Sequence, residues 1–397
     1  MIEQHGFDRV VILSDESANW QIAGLRQLDR LVLGLDEFSK AMATANKIEI
    51  VVCWKPEIPL SARLLPRHEQ ITHVRVTEAS GPVVPEGRIL ATRLFIERNA
   101  LSNFFSTTPP VKIEQPIVDF TGAWSRLFEQ FERTCRSATR AEEEHWRFLE
   151  HPSEIIVAEK QLLRHTGKSQ DGIVSKFLNR PISRVITRRL LKLPITPKAC
   201  TILTFALAPV AFVFLVCGDY TGFVVGTALF QLINILDGCD GEIARAKYLD
   251  SERGRQLDAF CDFLANLLFV LCLGIGLFRQ ASLSPNIRFV YLIESLITFC
   301  IMAAGLGRFL MPLLARDFKR VVSRRQEDFN LAERFFGRAV TAFIHQITRR
   351  DVIYLVFFLL AIASRASWIL HILFAFSVIT LVFRMFRKNW RVRAQMH

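Results

Sequence analysis

The sequence predicts a polytopic α-helical membrane bundle preceded by a soluble α/β domain, and three observations support this prediction. Hydrophobic residues make up 51% of the 397 residues, and the 33 phenylalanines are concentrated in the second half. Apolar segments follow one another in that half, as a lipid-facing surface requires. The first 125 residues instead combine short apolar runs with a helical pattern, which is typical of an α/β fold.

The N-terminal segment, residues 1–125, has the pattern of a Rossmann-like α/β domain. The runs RVVILSD (9–15) and KIEIVVCW (47–54) predict two buried strands. A β-α-β unit of this kind predicts a parallel strand pair. The runs HVRVTE (73–78) and GRILATRLFIE (87–97) predict further strands of the same sheet. The helix between the first two strands is predicted from apolar residues at helical spacing, namely Leu28, Leu31, Val32, Leu35 and Phe38.

Three further segments complete the chain. Residues 126–170 are charged with a helical pattern, which predicts a connector. Residues 171–195 place apolar residues against a basic strip, which predicts an amphipathic helix in the membrane interface. Residues 196–390 contain the membrane domain, in which Thr196 and Pro197 predict the start of the first helix. Its six predicted spans are approximately 198–217, 221–241, 256–278, 286–307, 351–365 and 367–386, and the last two are short enough to form one hairpin instead.

The positive charge of the chain indicates its orientation in the membrane. The net charge is +12, and basic residues cluster before the first span, after the fourth and after the sixth. Basic residues beside spans usually contact anionic headgroups and not nucleic acid. We therefore expect a multi-pass protein of the cell membrane with both termini, and the loop between the second and third spans, in the cytoplasm. The eight cysteines show no CxxC spacing and are expected to be packing residues without disulfides.

The residues that predict chemistry lie where the second span ends and the third begins, in ILDGCDGEIARAKYLDSERGRQLDAFCD (235–262). At 100° per residue, the residues of interest on the first helix fall within roughly 140° of one face, and the two aspartates on the next helix lie about 40° apart. A short turn joins the helices, so both faces can converge. The residues are Asp237, Asp240, Gly241, Ala244 and Arg245 on the first helix, and Asp258 and Asp262 on the second.

Four aspartates at a membrane boundary need a positive partner. At about 3 kcal/mol each they would oppose insertion by up to about 12 kcal/mol. Arg245 is the clear basic residue at a matching position, and an all-oxygen cluster suits Mg²⁺, Mn²⁺ or Ca²⁺ better than zinc. The pattern therefore predicts a two-metal site. Gly241, Ala244 and Gly254 remove side-chain bulk where a nucleotide or the facing helix must approach.

This skeleton resembles in full the signature of the CDP-alcohol phosphatidyltransferase family, over about residues 170–390. The resemblance implies a six-helix membrane bundle, commonly a homodimer, with a nucleotide site that opens to the cytoplasm. It implies transfer of a phospho-alcohol group, phosphatidyl or inositol-phosphate-like, from a CDP-alcohol to a hydroxyl acceptor such as a phosphorylated polyol, with release of CMP. Carried over by position, Asp237, Asp240, Asp258 and Asp262 bind two Mg²⁺ or Mn²⁺ ions, Asp262 also acts as the general base, and Gly241, Ala244, Arg245 and Gly254 hold CDP.

The chain also resembles the branch of this family that carries a nucleotidyltransferase-like N-terminal domain. The resemblance lies in the basic run that begins at Arg164 and in the DGCDGE form of the motif. The bifunctional inositol-phosphate cytidylyltransferase and di-myo-inositol phosphate phosphate synthase belongs to that branch. Its members place a glycine-rich loop with a basic residue after the first strand, whereas this chain has Ser14, Asp15, Glu16 and Ser17. Because these residues offer no cradle for a triphosphate, we expect a degenerate domain that serves docking or regulation.

Alternatives remain open at this point. Intramembrane acids also occur in transporters, and an inactive membrane scaffold is a further alternative. Glu294, inside the fourth span, either contacts an acceptor or makes a hydrogen bond within the bundle. Asn266 is either a partner of the acidic cluster or an ordinary interhelical hydrogen-bonding residue.

Overall fold

The computed structural model describes most of the chain between residues 9 and 394. The described residues divide into two compact units. The first contains the residues up to 165 together with 188–194 and 245–248, and the second contains the remainder. The described residues are 9–42, 47–79, 86–117, 120–137, 145–165, 172–280, 284–314, 333, 337–339, 341, 346 and 348–394.

The first unit is built on a five-stranded sheet. The strand order is β5-β4-β1-β6-β8, in which β8 is antiparallel to β6 and the other pairs are parallel. In chain order the elements are β1 (Arg9–Ser14), β2 (Gln21–Ile22), β3 (Leu25–Arg26), α1 (Gln27–Met42), β4 (Ile48–Trp54), β5 (Val74–Glu78), β6 (Gly87–Ala91), β7 (Leu94–Ile96), α2 (Leu101–Thr107), β8 (Lys112–Ile113), α3 (Phe120–Ser137), β9 (Trp146–Phe148) and α4 (Ile155–His165).

The predicted β-α-β unit is present. β1 and β4 pair in parallel, from Arg9 opposite Glu49 to Ser14 opposite Trp54, and α1 lies between them in the chain. The apolar face of α1 is buried. Parallel strands are apolar on both faces of the sheet, so helices such as α1 pack against them. An α/β region with a parallel sheet is therefore confirmed.

One part of the predicted sheet is wrong, and a turn explains it. The run 87–97 does not form one strand, because Thr92 and Arg93 turn the chain after β6. The second half, β7, leaves the main sheet and pairs antiparallel with β9. The segment expected to be a connector, 126–170, thus contributes a strand to the first unit. Phe131, Cys135 and Trp146 from this segment are buried in the core of that unit.

The cysteines are free, as expected from their spacing. Cys53 on β4 and Cys135 on α3 are buried in the first unit. Burial raises the pKa of both thiols to about 12, because desolvation disfavours the thiolate. These two residues therefore remain neutral and act as apolar packing residues.

The described residues of the second unit are mainly helical. A π-helical turn at Ser175–Asn179 is followed directly by α5. Further helices are α5 (Arg180–Leu190), α6 (Pro197–Phe205), α7 (Leu207–Cys217), α8 (Tyr220–Ala246), α9 (Glu252–Arg279), α10 (Pro285–Leu314), α11 (Arg350–Ile362) and α12 (Ala366–Ala394).

Five helical segments in the described residues are long and apolar enough to cross a membrane. This bears out a multi-pass membrane protein. The segment 351–365, the fifth of the six predicted spans, corresponds to α11, which has 13 residues. A crossing helix needs about 20 residues, so α11 does not qualify by length. The five segments are Pro197–Cys217, Tyr220–Ala246, Glu252–Arg279, Pro285–Ala304 and Ala366–Phe383.

The first of these segments begins at the predicted cap. The Thr196 hydroxyl accepts a hydrogen bond from the Ala199 amide at 3.2 Å, and Pro197 is the first helical residue. The segment is interrupted at Ala206, between α6 and α7. Pro209 accounts for this break, because its ring removes a donor and crowds the carbonyl of Phe205 one turn earlier.

The predicted amphipathic helix has its apolar residues outside. Phe177, Ile182 and Val185 are exposed, which suits contact with lipid. The polar residues Ser183 and Thr187 are buried on the opposite side of α5. This side faces α8, which carries the first half of the acidic motif.

An aromatic layer joins the helices that carry the acidic residues. Phe230 of α8 and Phe269 of α9 have ring centroids 4.4 Å apart. Phe269 stacks on Phe357 of α11 at 5.7 Å, and Tyr354 of α11 packs edge-on against Phe230. Close packing of this kind fixes the relative positions of α8, α9 and α11 beside the motif.

Candidate metal centre and active site

Three of the four predicted aspartates come together in the structure. Asp237 lies on α8, and Asp258 and Asp262 lie one turn apart on α9. Each offers a carboxylate oxygen, and the three oxygens lie within 4.8 Å of one another. All three side chains are half-buried. The convergence expected from helical spacing and a short turn is therefore observed for this cluster.

Carboxylates this close repel one another when they are ionised, unless positive charge compensates them. Two unit charges at 4.8 Å repel by about 3.5 kcal/mol when the effective dielectric constant is about 20. Three ionised carboxylates would therefore oppose one another by about 10 kcal/mol. Asp240 is also near enough to add to the negative potential at Asp258. The geometry and the hard oxygen donors fit a divalent cation such as Mg²⁺ or Mn²⁺.

Asp240, the fourth predicted ligand, is held differently. Its carboxylate accepts a hydrogen bond from the hydroxyl of Thr201 on α6, and its side chain is buried. The Thr201 hydroxyl oxygen also lies 3.2 Å from the carbonyl oxygen of Pro197, one turn earlier. A hydroxyl donor orients a carboxylate without neutralising its charge. Thr201 therefore fixes Asp240 on the side of α8 that carries Asp237.

Arg350 is a residue of this site that sequence reasoning missed. It is the first residue of α11, and its guanidinium forms a hydrogen-bonded ion pair with the carboxylate of Asp262. Arg350 is thus a basic partner of the motif in addition to Arg245, which the sequence indicated. The available signal was a pair of arginines at the start of an apolar run, 349–350, which has no fixed spacing to the motif.

Asn266 makes an interhelical hydrogen bond, which is one of the two roles that the sequence left open for it. It lies one turn after Asp262 on α9, and its side-chain oxygen accepts a hydrogen bond from the Tyr354 hydroxyl at 2.5 Å. Tyr354 in turn lies one turn after Arg350 on α11. Two successive polar contacts, Arg350 with Asp262 and Tyr354 with Asn266, therefore tie α11 to α9 beside the carboxylates.

The small residues of the motif lie on the same two helices. Ala244 is buried and Gly241 is half-buried on α8, and Arg245 follows Ala244. Gly254 belongs to the cap of α9, where its amide donates to the Ser251 hydroxyl at 3.1 Å. A Cβ at Gly254 would lie 2.9 Å from that hydroxyl oxygen, so glycine leaves room for the cap.

Glu294 makes a hydrogen bond within the bundle. Its carboxylate on α10 lies 2.9 Å from the Nδ1 atom of His371 on α12. The Glu294 side chain is buried, and the ring of Tyr291 packs against His371. This pair gives Glu294 a partner inside the membrane bundle, which favours that alternative over contact with an acceptor.

The loop after β1 is a second acidic region, and its polar groups bond to one another. Asp15 accepts hydrogen bonds from the amide and hydroxyl of Ser17, and its other oxygen lies 2.7 Å from the Nε atom of Arg93. The hydroxyl of Ser17 is also 2.8 Å from that of Thr92. Both Asp15 and Ser17 are buried. The loop thus resembles a packed turn and not a phosphate cradle.

The region that contains these carboxylates is similar to known proteins. Residues 194–383 match the CDP-alcohol phosphatidyltransferase family. A bifunctional IPC transferase and DIPP synthase from Rubrobacter xylanophilus is 40% identical over 131 residues, which are 33% of this chain and 29% of that protein. The protein of the same name from Thermococcus kodakarensis is 28% identical over 348 residues, which are 84% of this chain and 75% of that protein.

A third relative gives the same result over a shorter stretch. The bifunctional IPC transferase and DIPP synthase of Aquifex aeolicus is 32% identical over 133 residues, 33% of this chain and 30% of that protein. The matched stretch thus spans less than a third of the Rubrobacter and Aquifex proteins and three quarters of the Thermococcus protein. The family match confirms the predicted resemblance over residues 194–383.

Proposed function

Because residues 194–383 match the CDP-alcohol phosphatidyltransferase family, we propose that this chain transfers a phospho-alcohol group from a CDP-alcohol to a hydroxyl acceptor and releases CMP. The group is phosphatidyl or inositol-phosphate-like, and the acceptor is a hydroxyl compound such as a phosphorylated polyol. The names of the relatives favour the inositol-phosphate-like group. The reaction depends on a divalent cation.

The observation that carries this proposal is the cluster of Asp237, Asp258 and Asp262. These carboxylates, with Asp240, would hold two Mg²⁺ or Mn²⁺ ions. Bound there, the ions would neutralise charge on the diphosphate of the donor and on the departing CMP. The chemistry of the donor set supports this choice, since carboxylate oxygens suit hard cations.

The residues of the chain have separate tasks in the reaction. Asp262 accepts the proton of the acceptor hydroxyl, which makes its oxygen a stronger nucleophile for attack on the β-phosphorus. Arg245 contacts a phosphate of CDP, and Gly241, Ala244 and Gly254 leave room for the nucleotide. Arg350 balances the charge of Asp262 when the cation and substrates are absent, because a carboxylate beside other acids needs a positive partner.

The membrane arrangement follows from the same family resemblance. α11, which has 13 residues and is too short to cross the bilayer alone, completes the bundle as its sixth helix, and its packing on α8 and α9 through Tyr354 and Phe357 supports this role. Both termini and the site are cytoplasmic, since the basic loops lie on that side. The protein acts as a homodimer in contact with membrane lipids.

The N-terminal α/β domain has a role other than nucleotidyl transfer. Its fold is Rossmann-like and similar to that of nucleotidyltransferases, but Asp15 and Arg93 fill the loop where a triphosphate would bind. An acidic residue in that loop repels phosphate, so we assign the domain to docking or regulation.

Purified full-length protein in detergent tests the proposal. CDP-diacylglycerol and CDP-inositol are offered as donors with inositol phosphate as acceptor, and CMP is measured with EDTA, Mg²⁺ or Mn²⁺. We expect CMP release from at least one donor with Mg²⁺ or Mn²⁺ and none with EDTA. CMP release that is equally fast in EDTA would contradict the cation requirement, and nucleotide binding without turnover would favour a scaffold.

A further inference from the structure

A second buried acid on α8 faces away from the carboxylate cluster. Glu242 is fully buried, and its carboxylate receives three hydrogen bonds from one face of α5. Arg180 donates to Oε1 at 3.0 Å, Ser183 donates to Oε1 at 2.9 Å and Thr187 donates to Oε2 at 2.7 Å. The three donors are spaced by three and four residues, so they share one side of α5.

The same face of α8 contacts α5 and the π-helical turn that precedes it. Gly238 lies one turn before Glu242, and a Cβ there would be 3.2 Å from a guanidinium nitrogen of Arg180. Earlier on α8, the side-chain amide of Gln231 donates to Asn179 at 3.1 Å. Glycine at position 238 therefore lets the two helices approach, and polar contacts hold them there.

This contact lies opposite the catalytic face. At 100° per residue, Glu242 projects about 160° from Asp240 and about 140° from Asp237 around the axis of α8. A carboxylate about 6 Å from the axis moves by about 1 Å when the helix rotates by about 10°. Metal–oxygen distances tolerate only about 0.2 Å, and Mg²⁺ demands near-ideal geometry. A small loss of rotational restraint on α8 would therefore impair the site.

We propose that Glu242 is a positioning residue that sets the rotation of α8, and thereby aims Asp237 and Asp240 at the divalent cation. The inference rests on the proposed function, since it assumes that these aspartates bind a cation. Glu242 itself touches neither cation nor substrate. Its three donors on α5 make the amphipathic helix part of the catalytic architecture, in addition to the exposed apolar face that suits a membrane interface.

Glu294 supplies a matched control. It is also a buried glutamate of the membrane bundle with one hydrogen-bonding partner in the described contacts, His371, but it lies on α10 and is not part of the motif. Glu242→Gln and Glu294→Gln make the same chemical change at two buried sites. Thr187→Val is a milder change that removes one donor and keeps the Arg180–Glu242 ion pair.

The test measures binding of Mn²⁺ alone to full-length protein in detergent, by the loss of the free Mn²⁺ paramagnetic resonance signal. We expect the Mn²⁺ dissociation constant to rise at least tenfold in Glu242→Gln, about threefold in Thr187→Val and less than twofold in Glu294→Gln. Where CMP release is measured, the Mn²⁺ concentration for half-maximal rate should rise in parallel, while the rate at saturating Mn²⁺ recovers to within threefold.

The outcomes separate the two proposals. If wild-type protein binds Mn²⁺ but Glu242→Gln and Thr187→Val bind it equally well, Glu242 serves only folding and the inference is wrong. If Glu242→Gln does not fold, the Mn²⁺ affinity of Thr187→Val alone tests the inference, and an affinity equal to that of wild type contradicts it. If the wild-type protein neither binds Mn²⁺ nor releases CMP, the proposed function fails first and the inference falls with it.

Discussion

Two acidic regions of this molecule differ in how their charge is balanced. Asp15, after β1, is buried against Ser17 and Arg93, and both of its carboxylate oxygens have partners from its own domain. Asp237 and Asp258, on α8 and α9, lie beside other carboxylates instead. An acid satisfied by its neighbours completes a fold, whereas acids brought together against their repulsion need a cation. The loop at Asp15 is therefore a structural turn, whereas the cluster on α8 and α9 is a candidate active site.

Asp262→Asn should produce the largest change. The substitution removes the proposed base, so we expect CMP release to fall by about 10³-fold, within the usual range for general base catalysis. Binding of CDP should be largely retained, because Asp262 is not assigned to the nucleotide. Initial rates of CMP release and a CDP titration measure the two quantities.

Asp219→Asn is the control for this change. Asp219 caps α8 at its opposite end, where it accepts a hydrogen bond from the Gly222 amide at 2.9 Å. Asparagine also caps helices well, so turnover should remain within twofold of wild type. Normal turnover in Asp262→Asn would show that the base is another residue.

Thr201→Val should have a smaller effect on the same reaction. It removes the hydroxyl that orients Asp240 and leaves the charge of the carboxylate in place. We expect CMP release to fall about tenfold, which corresponds to about 1.4 kcal/mol. Thr201→Ser keeps the hydroxyl and should retain most of the activity. Equal rates of CMP release for the valine and serine variants would show that Asp240 is not part of the active site.

Arg350→Gln should strengthen binding of the cation. The guanidinium of Arg350 occupies the carboxylate of Asp262, so it competes with a cation for that ligand. We expect the variant to bind Mn²⁺ about fivefold more tightly, because a competing positive charge has been removed. Weaker binding would mean that Arg350 supports the cation site instead of competing with it.

Asp15→Asn should leave the transferase reaction unchanged. The substitution weakens the ion pair with Arg93 and should destabilise the N-terminal domain by about 1–3 kcal/mol, measured by urea unfolding. CMP release per folded molecule should stay within twofold of wild type. Wild-type protein given CTP and inositol phosphate should form no CDP-alcohol. Formation of a CDP-alcohol would overturn the assignment of a degenerate domain.

The sequence predicts those parts of the site that depend on spacing within one segment. Asp237, Asp258 and Asp262 converge because helical periodicity and a short turn determine their directions. Arg350 and Thr201 were not predictable in this way, since they reach the motif from helices 88 and 39 residues away in the chain. Contacts of that range depend on helix packing, which a single sequence does not encode as a fixed interval.

The same limit applies to the fold. The buried strands β1 and β4 follow from apolar runs, and the start of α6 follows from Thr196 and Pro197. The pairing of β7 with β9 was missed because a turn at Thr92 redirects the chain to a partner about 50 residues later. The partners of Glu242 were missed because α5 was predicted only as an amphipathic helix of the membrane interface, whereas its Arg180, Ser183 and Thr187 side chains are buried donors.

Cation binding by the three-carboxylate cluster is the central claim, and a Mn²⁺ titration of full-length protein tests it without knowledge of the substrates. Wild type is compared with the triple variant Asp237→Asn, Asp258→Asn, Asp262→Asn, which keeps side-chain volume and removes the charge. We predict saturable Mn²⁺ binding by the wild-type protein and at least a hundredfold weaker binding by the triple variant. Equal binding by both proteins would contradict the account.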